Sequence, residues 1–211
     1  MDKEIGDVLF YGDGTPIDNE YYLKRLSHLS ESSRLKEDNY SLGGSVTELE
    51  TSMANLLAKE QAVFMPTGTL ANHLAIRKLT GMRKRAIVLE QSHIYQDSGD
   101  TLQNLSGINL IPLGGNRPYF TLEELENNLE SSKNRRVENP VGAVVVESPV
   151  RRCQGRIMPI EEMKKVTDFC RYEKIGTHLD GARMLQMSAT TGIPPEAVSY
   201  THLTLPTILL V

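Results

Sequence analysis

The sequence IGTHLDGAR, at residues 175–183, is the strongest indication of the fold. It begins with an apolar run of strand length, which an acid, Asp180, brings to a close. Similar apolar runs precede it at residues 86–89 and 141–146, and longer amphipathic stretches separate them. A continuous run of β-branched and small residues, as at 141–146, is typical of a strand that is buried on both faces. This alternation predicts an α/β protein with a mostly parallel central sheet flanked by helices.

The same patterns place the individual elements along the chain. The expected strands are residues 62–65, 86–89, 108–113, 141–146 and 175–179. The expected helices are residues 21–30, 46–57, 70–79, 95–105, 121–131 and 159–173. Thr121 and Glu124 have the spacing of a capping box, and Pro159 suits the first turn of a helix. Residues 41–45 are expected to form a loop.

Length and composition limit the classes of protein that the chain can represent. Its 211 residues suit one domain, or one large domain and part of another. A hydrophobic fraction of 39% without a long uncharged apolar stretch predicts a soluble protein with no membrane span. The charged N-terminus lacks the pattern of a secretion signal, so a cytoplasmic location is expected.

The cysteine spacing and the distribution of charge argue against a disulfide framework and against nucleic acid as a partner. Cys153 and Cys170 are far apart and form no CxxC pair, which favours reduced thiols over a disulfide framework. The net charge is −4, and the short basic runs at residues 83–85 and 135–136 lie in neutral or acidic surroundings. Nucleic acid is therefore not expected as a partner.

Polar residues follow the predicted strands at the points where they end. They are residues 67–69, 90–93 and 147–149, and Asp180. Ligands of an open parallel sheet bind outside the carboxyl ends of its strands, where loops and helix N-termini converge. We therefore expect these four groups at one edge of the sheet, around a ligand.

The first and last of these groups suit a phosphorylated aromatic cofactor. Thr67, Gly68 and Thr69 offer two hydroxyls and the amides of a helix N-terminus to an anion such as phosphate. Glycine allows the backbone to approach closely, although the same tripeptide also suits an ordinary helix cap. Asp180 is able to hold a protonated pyridine nitrogen, as required in a pyridoxal phosphate site, or to cap a turn.

Other polar residues have both a functional and a structural interpretation. Arg183 is able to bind an amino acid carboxylate through two hydrogen bonds, or to form a surface salt bridge. His93 suits stacking on an aromatic cofactor or moving a proton, and Tyr40 is a candidate to reach the site. His178 and Asp180 share a strand face, so a metal site is conceivable. No third ligand follows at metal-binding spacing, so no metal is expected.

Several motifs together carry a family resemblance. They are FMPTGTLAN at residues 64–72, SHIY at 92–95 and HLDGAR at 178–183. In this order they resemble the motifs of the threonine aldolase and β-eliminating lyase family, which are fold type I pyridoxal phosphate enzymes. The resemblance runs from about Tyr40 to about Ser199 and implies the large domain of the aminotransferase-like fold.

The resemblance implies roles for the candidate residues. Thr67, Gly68 and Thr69 would bind the cofactor phosphate. His93 would stack on the ring, and Asp180 would hold the pyridine nitrogen. These two are the expected catalytic residues.

Two further residues would act on the substrate in this family. Arg183 would bind the carboxylate of a small amino acid substrate. Tyr40 resembles a tyrosine that the family brings near the site, often across a dimer interface. A homodimer or homotetramer with shared active sites is therefore expected.

The reaction that the resemblance implies is the aldol cleavage of a β-hydroxy-α-amino acid, such as threonine, to glycine and an aldehyde. The alternative within the family is β-elimination to pyruvate and ammonia. The motifs do not separate these reactions, because they hold the phosphate, ring and carboxylate that both share.

The chain departs from the family after Arg183. The family continues to a strand that ends in the lysine which binds the cofactor covalently, and no lysine follows Asp180 here. Residues 200–211 resemble translated sequencing-adapter DNA. We expect an N-terminal segment and loop at 1–45, an incomplete cofactor domain at 46–199 and a foreign tail at 200–211, with the small C-terminal domain missing. A fragment or pseudoenzyme without catalysis is the third interpretation, and the chain as written is expected to be inactive.

Overall fold

The computed structural model describes residues 18–40 and 42–199. They divide into two compact units. The N-terminal unit contains the described residues up to 55 and residues 60–64, and the C-terminal unit contains residues 56–59 and the described residues from 65 onward. The expected tail at 200–211 lies outside the described residues, as does Ser41 of the predicted loop.

The N-terminal unit is built on two helices, α1 at Asn19–Glu31 and α2 at Ser45–Leu56. Both were predicted within two residues of these bounds. The carboxylate of Asp18 caps α1 by accepting the Glu20 amide at 3.0 Å, which satisfies one of the free amides at a helix start. The helices are joined by a segment that bonds to the start of α2. In this segment the Lys36 amide donates to Ser45 Oγ at 2.9 Å.

The C-terminal unit is built on a sheet of four parallel strands in the order β2-β1-β3-β4. The strands are β1 at Arg85–Leu89, β2 at Asn109–Leu113, β3 at Ala143–Glu147 and β4 at Gly176–Asp180. Every residue of β1 and β3 is buried, as expected for parallel strands covered on both faces. The predicted α/β class with a mostly parallel sheet is confirmed.

Helices precede, connect and follow the strands of this sheet. They are α3 at Gly68–Thr80, α4 at His93–Gln96, α5 at Thr101–Ser106, α6 at Leu122–Lys133, α7 at Ile160–Tyr172, α8 at Met184–Thr191 and α9 at Pro195–Ser199. The predicted capping box of α6 is present, since Thr121 and Glu124 bond to each other's amides. No described helix combines the length and apolar character that crossing a membrane requires.

The core beside β1 and β3 contains side chains from several helices and loops. Its buried members are Ile76, Ala86, Val88, Ile94, Leu102, Ile108, Ala143 and Val145. Ile76 places α3 on this sheet, while Ile94 and Leu102 attach α4 and α5. Removal of this apolar surface from water stabilises the arrangement of loops around the strand ends.

Two predictions of secondary structure are wrong. Residues 62–65 form no strand, and Val63 and Phe64 are 70% and 48% exposed. The Phe64 amide donates to a side chain, Glu50 Oε1, at 2.7 Å and not to a strand. The helix expected at 95–105 is two helices, because the turn-forming residues 97–100 interrupt it and Gly99 and Asp100 have φ values of 58° and 53°.

Candidate active site

The carboxyl edge of the sheet gathers polar side chains from three strand ends. His93 follows β1 at the start of α4, Glu147 ends β3 and Asp180 ends β4. Glu147 and Asp180 are directly paired in the parallel ladder. The structure therefore places these three residues around one point of the sheet edge, as the spacing of the motifs predicts.

Asp180 is buried and held from two sides. Its Oδ2 accepts a hydrogen bond from Asn72 Nδ2 at 2.7 Å, and its Oδ1 accepts the Ala182 amide at 3.2 Å. Asn72 in turn accepts at Oδ1 from His178 Nε2 at 2.8 Å. An amide oxygen only accepts, so this bond requires the proton of His178 to be on Nε2. The carboxylate of Asp180 is thus fixed by a chain of polar contacts from α3 and β4.

The tripeptide at 67–69 forms the start of α3. Thr67 caps the helix by accepting the Leu70 amide at 3.2 Å, and Gly68 is buried at the first helical position. Thr69 Oγ1 lies 3.4 Å from His93 Nε2. The strand expected before this tripeptide does not form, but Thr69 still places the N-terminus of α3 beside His93.

Glu147 is the most enclosed acid of this edge, with 2% of its surface exposed. Its Oε2 accepts the His93 amide at 2.6 Å and its Oε1 accepts the Arg151 amide at 3.2 Å. Burial raises the pKa of Glu147 to about 7, and the nearby charge of Asp180 adds to this increase. Arg183 Nη1 lies 4.0 Å from Glu147 Oε1, and its positive charge offsets part of this increase in the pKa.

Sequence reasoning missed the parts played by Asn72 and Glu147. The sequence places Asn72 within the motif at 64–72 and Glu147 among the polar residues at a strand end, and neither position by itself indicates a role. A signal for Asn72 existed, because α3 buries positions four residues apart, Gly68, Asn72, Ile76 and Thr80. An amide in an otherwise buried stripe requires a polar partner. Glu147 had the same signal as Asp180, an acid that closes a buried strand.

Tyr40 lies in the N-terminal unit, with φ at 58° and 92% of its surface exposed. Its contact with a substrate stays a prediction. Among residues 18–40 and 42–199, no three His, Cys, Asp or Glu side chains are grouped as metal ligands would be. His178 Nε2, one of the two atoms considered for a metal, is directed at Asn72.

Comparison with known proteins identifies relatives of the chain. A low-specificity L-threonine aldolase of Candida albicans is 30% identical over 148 residues, which are 69% of this chain and 39% of the relative. The alanine racemase TOXG of Cochliobolus carbonum is 29% identical over 160 residues, 74% of this chain and 40% of the relative. The chain thus spans about two fifths of the length of these curated relatives.

Solved structures share the fold. A candidate L-allo-threonine aldolase from Listeria monocytogenes is 26% identical with a TM-score of 0.78, covering 92% of this chain and 52% of that one. A threonine aldolase of Leishmania major has a TM-score of 0.71 at 16% identity, covering 92% and 55%. The expected fold type I large domain is therefore confirmed. The sequence profile of the beta-eliminating lyases matches residues 32–201, and the chain belongs to the beta-eliminating lyase family.

Proposed function

We propose that this chain represents a pyridoxal phosphate-dependent lyase that cleaves a β-hydroxy-α-amino acid, such as threonine, to glycine and an aldehyde. The observation that carries the proposal is the buried Asp180, held by Asn72 and the Ala182 amide at the same sheet edge as His93. Relatives named low-specificity L-threonine aldolase support the choice of reaction.

The donor set of this edge fits the cofactor. A buried carboxylate with two neutral donors on its oxygens is able to keep a pyridine nitrogen protonated, and Asp180 is such a carboxylate. The start of α3, with Thr67, Gly68 and Thr69, presents amides and hydroxyls to a phosphate. When bound, pyridoxal phosphate supplies an electron sink for charge at the substrate α-carbon.

The residues of the chain contribute binding and orientation. Asn72 and the Ala182 amide hold Asp180 in one orientation, in which it would bind the ring nitrogen of the cofactor. His93, fixed through its amide by Glu147, places its imidazole against Thr69, where it is available to stack on the ring. The forked guanidinium of Arg183 binds the substrate carboxylate.

The remaining expectations belong to the same proposal. The protein acts as a homodimer or homotetramer in the cytoplasm, and Tyr40 contacts the substrate. Light scattering measures the oligomeric state, and Tyr40→Phe, which removes only the hydroxyl, would then raise KM more than it lowers kcat.

The function is tested on the complete gene product. Sequencing the source gene onward from the codon of Ala197 checks the expectation that residues 200–211 are foreign. The sequence obtained then allows the complete product to be expressed. Formation of glycine from threonine is then measured. Asp180→Asn should lower kcat by about 100-fold or more, while Asp168→Asn, at an exposed site on α7, should leave it unchanged. Absence of glycine formation in a complete, cofactor-loaded protein would overturn the proposal.

The second candidate is β-elimination, which the family name favours. Release of pyruvate and ammonia from serine, without glycine from threonine, would identify it. Interconversion of the alanine enantiomers is measured in the same samples, because a relative is named as an alanine racemase. Cofactor retention without any of these reactions, and without a borohydride-trappable bond to lysine, would favour the non-catalytic interpretation.

A further inference from the structure

Glu147 connects the three loops that form the carboxyl edge. Through Oε2 it holds the amide of His93, which follows β1, and through Oε1 it holds the amide of Arg151, in the turn after β3. The guanidinium of Arg183, which follows β4, lies 4.0 Å from Oε1.

The pair of Glu147 and Arg183 is largely withdrawn from water. The side chains are 2% and 16% exposed. At this depth solvent screens the attraction between opposite charges less than at the surface, and the charge of Arg183 lowers the pKa of Glu147. A second carboxylate that binds Arg183 would therefore compete with Glu147 for the same positive charge.

Several charged and titratable groups of the described residues lie around Glu147. Asp180 of β4 adds negative charge, and Arg183 adds positive charge. Cys153, in the 3-10 turn at Arg151–Cys153, and His93 of α4 are the titratable neighbours. The guanidinium groups of Arg151 and Arg152 are directed at Asp97, at 2.8 and 3.0 Å, so they balance that acid.

We propose that Glu147 is a counter-ion of Arg183 which the carboxylate of a bound amino acid replaces, and that Glu147 takes up a proton when this exchange occurs. The proposal rests on the proposed function only through the binding of a carboxylate at Arg183.

The exchange balances in charge and protons. The contact between Arg183 and Glu147 is lost, the contact between Arg183 and the substrate carboxylate forms, and solvent supplies one proton to Glu147. Without that proton, Glu147 and the substrate would place two negative charges beside one arginine, which burial makes costly. The pKa of Glu147, raised to about 7 by burial, makes both forms of the carboxyl accessible at neutral pH. A protonated Glu147 still has an oxygen that accepts the His93 amide.

The test measures the protons taken up when a carboxylate binds. The ligand is 3-hydroxybutyrate, which has the carboxylate and hydroxyl of threonine but no amine to react with the cofactor. Calorimetric titration of the complete, cofactor-loaded protein in buffers of different ionisation enthalpy yields the number of protons. We expect uptake of about half a proton per ligand at pH 7, which declines at lower pH because Glu147 is already neutral there.

Two variants separate a proton acceptor from a structural contact. Glu147→Gln should bind the ligand without proton uptake. Glu162→Gln should retain the uptake, although Glu162 also accepts a backbone amide, that of Leu122, at 2.8 Å. If Glu147→Gln does not fold, the wild-type protein alone tests the proposal. Proton uptake that declines below pH 7 would support it, and uptake that does not change with pH would overturn it.

The outcomes distinguish this proposal from the function. Binding of 3-hydroxybutyrate without proton uptake at pH 7 would overturn the role of Glu147 and leave the carboxylate site intact. Uptake that persists in Glu147→Gln would also overturn it. Absence of binding to the wild-type protein, or binding that is unchanged in Arg183→Gln, would overturn the carboxylate site itself.

Discussion

The two edges of the sheet both bury charge, but they hold it differently. At the carboxyl edge, Glu147 and Asp180 each accept one short hydrogen bond, from the His93 amide at 2.6 Å and from Asn72 Nδ2 at 2.7 Å, and a second bond at 3.2 Å. At the amino edge, Arg85 is 9% exposed. The carboxyl edge therefore orients its charged groups closely, which a site for chemistry requires.

The amino edge has looser polar contacts and a packed backbone. Arg85 Nη1 donates to Ser132 Oγ and to the Asn139 carbonyl, both at 3.5 Å, the outer limit of a hydrogen bond. Ser132 and Asn139 also line a cavity of about 180 Å³. At Gly142, in contrast, there is no room for a side chain.

The difference follows from the topology of parallel strands. All four strands end at the carboxyl edge, so the loops after β1, β3 and β4 converge there with the start of α3. Convergence brings partners from distant parts of the chain to each acid. The amino edge receives helix ends and connecting loops, and its buried charge is left with few partners.

The largest effect is expected at the amino edge from Gly142→Ala. The added Cβ would lie 2.7 Å from Thr80 Cα and from the Thr80 carbonyl, which are backbone atoms and unable to move aside. We expect the free energy of unfolding to fall by about 3 kcal/mol or more, measured by urea unfolding with circular dichroism. Gly176→Ala is the control, since the atoms nearest to its Cβ would be those of the Leu79 side chain, and its cost should be smaller. Equal costs would show that the backbone is not the close contact.

The second effect is a pH dependence at the carboxyl edge. Burial raises the pKa of Glu147 from 4.5 to about 7, so between these values the folded protein binds more protons than the unfolded chain. Its contribution to stability is therefore present at low pH and is lost as the pH rises towards 7. Relative to the wild type, Glu147→Gln should gain roughly 2.5 kcal/mol between pH 5 and pH 8 in urea unfolding. A constant difference across this range would contradict the raised pKa.

A third change removes the amide that links the two polar side chains of β4. Asn72→Leu keeps the approximate shape but takes the hydrogen bonds from Asp180 and His178, so we expect a loss of about 2 kcal/mol in stability. Asn128→Leu is the matched control, because Asn128 Oδ1 is buried and has no hydrogen-bond partner among the described residues. A control that costs as much as Asn72→Leu would show that the link itself contributes little.

The smallest effect is expected at Arg85. Replacement of a loosely bonded buried charge by an apolar side chain of similar length is often close to neutral, so Arg85→Met should change the unfolding free energy by less than about 1 kcal/mol. The same urea titration measures it beside Asn72→Leu. A loss of several kcal/mol would mean that the amino edge holds its charge as tightly as the carboxyl edge.

Most of the sheet was predictable from local patterns, with one instructive exception. Strands β1 and β3 are buried on both faces, so their sequences are continuous apolar runs that local inspection recognises. Residues 62–65 have the same kind of run and form no strand. A strand also needs a neighbour with free amides and carbonyls, and an apolar run does not reveal whether one is available.

The site was predictable where motifs are local and not where contacts are distant. Asp180 and His93 follow strands directly, and their positions at the sheet edge are a consequence of that order. The bond between Asn72 and Asp180 joins residues 108 positions apart. No spacing rule covers such a separation, because it depends on where α3 packs against the sheet.

The α/β class, the parallel strands and the family motifs are readable in the sequence, because they depend on hydrophobic periodicity and on residues close in the chain. The strand order β2-β1-β3-β4, which places Glu147 in register with Asp180, is known only from the folded structure. Burial, together with that proximity, raises the pKa of Glu147 to about 7. Coulomb interactions and desolvation depend on distances in space, and distances between remote residues exist only after the chain has folded.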